Sequence, residues 1–336
     1  MKLLFIFTGG TIGSTLKGDV ISTDQTKSYQ LLRAYKEKYG MPFTYDVAEP
    51  YTELSENNTG AHIRILGDCI ADAVKKPYDG IVVTHGTDTL QYSASAVGYA
   101  LGLHTVPVCF VAANAPLDDQ KSNALDNLRG AVCFIEQKGG GGVFVTYRNS
   151  ASDTVIVHRA TRLLESRAYS DEVISLGDSF YGAIDRDGRF VKNPHFREAD
   201  DEIEPLPTSR LEKINKRTLV LAVCPGILYP EIPDGVKYVL LNTYHSGTLD
   251  TKSKQAKEFF LQAKKKGVTV FATGIYGGPQ YASAKLFDEL GIHPIMDLSP
   301  IAAYVKLWLA DSLQKDPAYL LSSSLSGDMF DRLSVF

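Results

Sequence analysis

Seven short apolar runs punctuate the chain and stop abruptly at Gly, Thr, Asn or His. They are Leu3–Phe7, Gly80–Thr84, Pro107–Ala113, Gly142–Thr146, Thr218–Val223, Tyr238–Leu241 and Val268–Ala272. Unbroken β-branched runs fit strands buried on both faces, as in a parallel sheet. Between them lie stretches patterned for helices: Ala61–Lys75, Leu90–Gly102, Ser122–Cys133, Lys252–Lys266, Ser283–Leu290 and Ile301–Leu313. Alternation of strand and helix over most of the chain predicts a doubly wound α/β architecture.

The alternation is interrupted once. Prolines 194, 205 and 207 break any regular element there, and the acidic run Glu198-Ala199-Asp200-Asp201-Glu202 reads as solvated linker. The expectation is two doubly wound domains with mainly parallel sheets. Residues 1–190 form the larger N-terminal one, 191–217 the linker, and 218–336 the smaller C-terminal one.

Composition narrows the classes. Of 336 residues 44% are hydrophobic and 22% charged, which is too apolar for a disordered chain. With 35 Lys and Arg against 39 Asp and Glu, the formal charge is −4. Nucleic-acid binding needs clustered basic residues, so none is expected. The four cysteines form no C-x-x-C pair and none has a His at metal-ligand spacing; they read as buried reduced thiols. The run after Lys2 is short and passes directly into Thr-Gly-Gly, so it reads as a buried first strand rather than a signal peptide. No window approaches the roughly 20 apolar residues of a membrane span. A cytoplasmic protein with no membrane partner is the expectation.

Two strand-end turns carry candidate chemistry. Thr8-Gly9-Gly10-Thr11-Ile12-Gly13 follows the first strand, and Thr84-His85-Gly86-Thr87-Asp88-Thr89 ends the second and opens a helix. Ligands of open α/β sheets bind beyond the carboxyl ends of strands, where both hydroxyl-bearing turns would face one crevice. Paired glycines turn the chain sharply and expose amides. The first turn is neither the dinucleotide fingerprint nor a Walker A loop. Taken alone, Thr87 or Asp88 reads equally as a helix cap.

Thr8-Gly9-Gly10-Thr11-Ile12 and His85-Gly86-Thr87-Asp88-Thr89 resemble the two signature segments of the bacterial-type L-asparaginase/glutaminase family, in its cytoplasmic branch. The likeness continues through Asp79–Val83, Asn114-Ala115-Pro116-Leu117, Asp126-Asn127-Leu128, and Tyr229 after Pro225-Gly226. It implies hydrolysis of a side-chain amide without metal or cofactor. Thr8 would be the nucleophile, and Thr87 would activate water or itself attack. Asp88 would bind the substrate ammonium, and amides near Gly10, Thr11 and Thr87 would steady the oxyanion. In Glu53-Leu54-Ser55-Glu56-Asn57-Asn58, Ser55 would take the α-carboxylate and Glu56 the α-ammonium. The loop Tyr244-His245-Ser246-Gly247-Thr248 would reach a neighbouring protomer, with His245 near its substrate. A homo-oligomer, dimer or tetramer, is implied.

Three positions depart from that pattern. Residues 13–28 contain no tyrosine, and Asp19 aligns where the family has one. Residues 147–175 contain no lysine, and Arg159-Ala160-Thr161-Arg162 places Arg162 at the family's lysine. Arginine stays protonated and is no base, though it would balance Asp88; Glu165, one turn on, would be a base if it faced the site. Ser122-Asn123-Ala124 stands where the family commonly has Ser-Asp-Gly. The leading expectation is an amidohydrolase of L-asparagine or a close analogue. Altered specificity toward a modified asparagine or another amide, or a non-catalytic amino-acid-binding role, are the alternatives.

Overall fold

The computed structural model describes residues 1–10, 14–17, 20–23, 26–150, 152–275 and 281–329. The first part of the chain runs β1 (Lys2–Phe7), β2 (Ser14–Lys17), β3 (Val20–Thr23), α1 (Thr26–Tyr39), β4 (Thr44–Ala48), α2 (Gly60–Ala73) and β5 (Gly80–Thr84). It continues through α3 (Leu90–Leu101), β6 (Pro107–Val111), α4 (Ala124–Glu136), β7 (Gly142–Tyr147), β8 (Val155–Arg159), β9 (Gly182–Ile184) and β10 (Phe190–Lys192). The remainder comprises β11 (Thr218–Ala222), β12 (Tyr238–Asn242), α5 (Lys254–Lys265), β13 (Thr269–Ile275), α6 (Phe287–Leu290), β14 (Ile292–Met296), α7 (Pro300–Leu313) and α8 (Pro317–Ser322).

Eight strands form one sheet in the order β10-β9-β8-β7-β6-β5-β1-β4, and four form another in the order β11-β12-β13-β14. In the larger sheet β4, β1, β5, β6 and β7 are parallel, while β8, β9 and β10 extend it antiparallel. The smaller sheet is parallel throughout. The fold is the expected α/β class with mainly parallel sheets.

Burial explains why these runs became strands. All five residues of β5 and of β6 are buried, because helices cover both faces. One face packs Leu31 and Tyr35 of α1 with Leu128 and Phe134 of α4; the other packs Leu66 and Ile70 of α2 with Ala94 and Val97 of α3. The chain leaves β1 toward β4 on one side and returns to β5 on the other, so the strand order reverses between β1 and β5. Ligands of doubly wound sheets bind at such a reversal, beyond the carboxyl ends of the strands. Phe7 pairs with Thr84 at that edge, which puts both threonine turns there.

Several expectations change. The acidic run is largely solvent-exposed as expected but is no free linker: Glu198 pairs with buried Arg159 at 2.6 Å, Asp201 accepts from the Leu103 and Ser326 amides, and Glu202 accepts from the Ser324 amide. Leu206 and Leu211 are buried, and Phe190–Lys192 pairs with β9. Residues 190–217 are thus largely irregular and exposed, but anchored to the fold at these points. The predicted helix Ser283–Leu290 is a 3-10 turn, Ala284–Leu286, followed by the single turn α6. All four cysteines are free, but only Cys109 is buried and Cys224 is exposed. Among the described residues no helix is long and apolar enough to cross a membrane.

Candidate functional site

Three chain segments meet backbone to backbone beyond β1 and β5. Gly9 and Gly10 have φ of +99° and +80°, conformations that an L side chain strains to adopt. A Cβ on Gly9 would lie 2.4 Å from the Glu53 carbonyl oxygen, and one on Gly10 2.4 Å from the Gly86 nitrogen. Gly86 is equally confined, since its Cβ would lie 2.4 Å from the Ser55 hydroxyl. The glycines thus bring the two threonine turns and the Glu53–Asn58 loop into contact. The Glu53 amide donates to the Thr8 carbonyl at 3.0 Å, and the Gly10 amide donates to the Glu53 carbonyl at 3.3 Å. That bond engages the Gly10 N–H with the loop carbonyl.

Thr8 is buried, and its hydroxyl donates to the Thr84 carbonyl at 2.7 Å. Because the proton points inward, the oxygen's lone pairs face the opposite way. Burial raises the pKa of the Tyr51 phenol, and the neighbouring Thr8 hydroxyl offsets part of that rise. The phenol oxygen makes no well-formed hydrogen bond, and the Tyr51 ring packs on His62 with centroids 4.9 Å apart. Sequence reasoning missed Tyr51 because β4, the strand before it, is half-exposed and polar.

Ser55 is buried and donates to the Asp88 carboxylate at 3.1 Å, linking the Glu53–Asn58 loop to the second turn. Thr89 donates to the Ser55 carbonyl at 2.8 Å. Thr87 is half-buried, and Asp88 and Glu56 are exposed. Neither Thr87 nor Asp88 caps α3: the N-cap is Thr89, without a side-chain cap bond.

His85 is the hub beneath. It is fully buried, and Nδ1 lies 2.8 Å from the Gly86 carbonyl, which only accepts, so Nδ1 carries the proton. Nε2 is then the acceptor for Asn58 Nδ2 at 3.2 Å. Burial lowers the His85 pKa to about 4 and keeps the ring neutral.

The remaining candidates sort differently. Arg162 is buried, and its guanidinium donates to the carbonyls of Gly327, Arg197 and Met329 and to Ser179 Oγ. Its charge is spent on the C-terminal segment rather than offered to Asp88, because the turn Ala160–Arg162 directs it there. Glu165 is exposed and lines a cavity with Thr89, Tyr92 and Ser93. Asn114 is held by a reciprocal pair of 3.0 Å bonds with Asn123, which makes it a loop brace. His245 is exposed in the turn after β12 of the smaller sheet. Thr11 and Asp19 lie outside the described residues.

Residues 2–176 match the family model described as Asparaginase, N-terminal. The chain is 31% identical over 349 residues to one of the subunits of the glutamyl-tRNA(Gln) amidotransferase of Haloquadratum walsbyi, covering 97% of this chain and 75% of the relative. It is 26% identical over 321 residues to the L-asparaginase of Thermococcus kodakarensis, covering 92% of each. In structure it is similar to the thermostable L-asparaginase from Thermococcus kodakarensis, with a TM-score of 0.79 at 22% identity over 98% of this chain and 100% of the other.

Proposed function

The chain belongs to the asparaginase family, and from that premise we propose that it hydrolyses the side-chain amide of L-asparagine or a close analogue through a threonine acyl-enzyme. The observation that carries this reading is the convergence of Thr8, Ser55 and Asp88 at the β1/β5 reversal. Strained glycines pin three loops together there, and Ser55 holds Asp88.

In the proposed reaction the Thr8 oxygen attacks the amide carbon. The C–N bond breaks, ammonia leaves carrying the hydroxyl proton, and an ester remains on Thr8. Water then attacks the ester carbon, giving the free acid and restoring the hydroxyl. Thr87, half-buried at the crevice, orients that water. Asp88 and Glu56 receive the substrate ammonium, and Ser55 its carboxylate. Amides of the second turn stabilise the oxyanion. Tyr51 takes the place beside Thr8 for which residues 13–28 supply no tyrosine. Assembly as a homo-oligomer, with His245 at a neighbouring crevice, belongs to the same proposal.

A second reading rests on relatives named as a component of a glutamyl-tRNA(Gln) amidotransferase. In it, the chain releases ammonia only within a larger assembly. Ammonia and amine release from L-asparagine, L-glutamine, D-asparagine and N-substituted amides tests both. Turnover of L-asparagine that disappears in Thr8→Ala and Thr87→Ala supports the hydrolase. Turnover of N-substituted amides alone moves the substrate to a modified asparagine. Inertness of the free chain toward every amide overturns the first reading and favours the second, and inertness with tight aspartate binding favours a binding protein.

A further inference from the structure

A cavity of about 470 Å³ opens between the N-terminal turns of α2 and α3, α7 as far as Trp308, and strands β11 and β12 at Val220, Leu240 and Asn242. Its lining includes none of Thr8, Ser55, Thr87 or Asp88. One wall is aromatic: Tyr92 and Tyr304 meet edge to face at 5.7 Å, and Tyr304 lies 5.9 Å from Trp308. Set among these rings are polar atoms that the protein leaves unused. Ser93 Oγ, Trp308 Nε1 and Asn58 Oδ1 are buried without a hydrogen-bond partner. Ser93 has no exposure at all, and Trp308 retains only 8%. Buried polar atoms left single are costly, and several along one cavity mark a place for an occupant that pairs with them. The same cavity carries charges of both signs, Glu165 and Lys213, each exposed at its rim.

We propose that this cavity is a second ligand site, built for a small zwitterion with a flat apolar body, of the chemical class of an aromatic α-amino acid. The tyrosines and Trp308 cover the ring, Glu165 receives the ammonium and Lys213 the carboxylate. The orphaned Ser93 and Asn58 oxygens accept the remaining ammonium hydrogens, and Trp308 Nε1 donates to the carboxylate. Solvent filling alone would not call for both rim charges and an aromatic wall. The occupant also touches the threonine crevice indirectly. Asn58 Nδ2 reaches His85 Nε2 at 3.2 Å and Thr89 Oγ1 at 3.4 Å, and Thr89 bonds the loop that holds Asp88.

Trp308 is the single tryptophan of the chain, so its emission reports this cavity without reference to any turnover. The purified full chain is titrated with L-phenylalanine, phenethylamine and 3-phenylpropionate while Trp308 emission is followed, with and without saturating L-asparagine. L-Phenylalanine should give a saturable change, and each analogue lacking one charge should bind at least about tenfold more weakly. Lys213→Ala, at an exposed position, should weaken L-phenylalanine by a similar factor and leave phenethylamine unchanged. No saturable change with any of the three overturns the proposal. So does equal affinity for all three, insensitivity to Lys213→Ala, or displacement of L-phenylalanine by L-asparagine.

Discussion

At the scale of single residues, the site pairs a buried hydroxyl with a phenol that the fold otherwise does not need. Tyr51 has no well-formed hydrogen bond, so Tyr51→Phe should leave thermal stability unchanged, while kcat for the amide falls on the order of 10²-fold. Steady-state kinetics beside a melting curve checks the split, and an unaltered kcat would remove Tyr51 from the reaction. His85 and His158 carry a pH dependence of stability. Burial lowers their pKa values from 6.5 to about 4 and about 3, so each native ring resists a proton that the unfolded chain accepts. Their contribution is complete above pH 6.5 and is lost as pH falls toward 4 and 3, on the order of 3 kcal/mol for His85 alone. Urea unfolding at pH 7 and pH 4.5 should show that loss, and His158→Gln should flatten the slope. A slope identical in wild type and variant contradicts the assignment.

Elements place these residues by the abrupt ends of strands. The five-residue runs of β5 and β6 were legible because their burial is two-sided and their residues β-branched. Thr44–Ala48 was not, since three of its five positions are exposed and its polar residues mimic a loop. The edge strand Ile292–Met296 hid for the same reason, with Pro294 in its middle where only an edge strand tolerates one. The meeting of the two threonine turns was legible from their glycines, but the third partner, Glu53 against Gly9, is a tertiary contact that no local pattern announces. Gly10→Ala should therefore cost more than strain. Its comparison is Gly40→Ala, where φ is +75° and nothing lies within 4 Å of the added Cβ. Gly40→Ala should lose roughly 1–2 kcal/mol in denaturant unfolding, whereas Gly10→Ala should lose more, because its Cβ meets the Gly86 backbone, and should also lose at least about tenfold in kcat/KM. Equal activity in the two would mean that the turns need not touch.

Across the whole molecule, charges that looked like surface or catalysis turn out to fasten the chain's last described segment. Arg162, the Asp201 and Glu202 carboxylates and the fully buried Lys306–Asp328 pair at 2.6 Å hold residues 323–329 in place. Position 162 was readable as a required cation, but two of its three carbonyl partners, Gly327 and Met329, lie some 165 residues downstream, beyond the reach of sequence pattern. Burial lowers its pKa only to about 10, so it stays charged at neutral pH. Arg162→Lys should thus lose about 2–4 kcal/mol of stability with KM for the amide unchanged, as differential scanning calorimetry and kinetics would record. A lost kcat at unchanged stability would return Arg162 to the reaction. The central claim, that Thr8 forms an acyl-enzyme in this crevice, is tested most directly by rapid acid quench during turnover of L-asparagine, followed by peptide mass spectrometry. The account predicts an aspartyl ester on the peptide containing Thr8, absent from Thr8→Ala. An ester mapped to Thr87, or turnover that persists in Thr8→Ala, would contradict it.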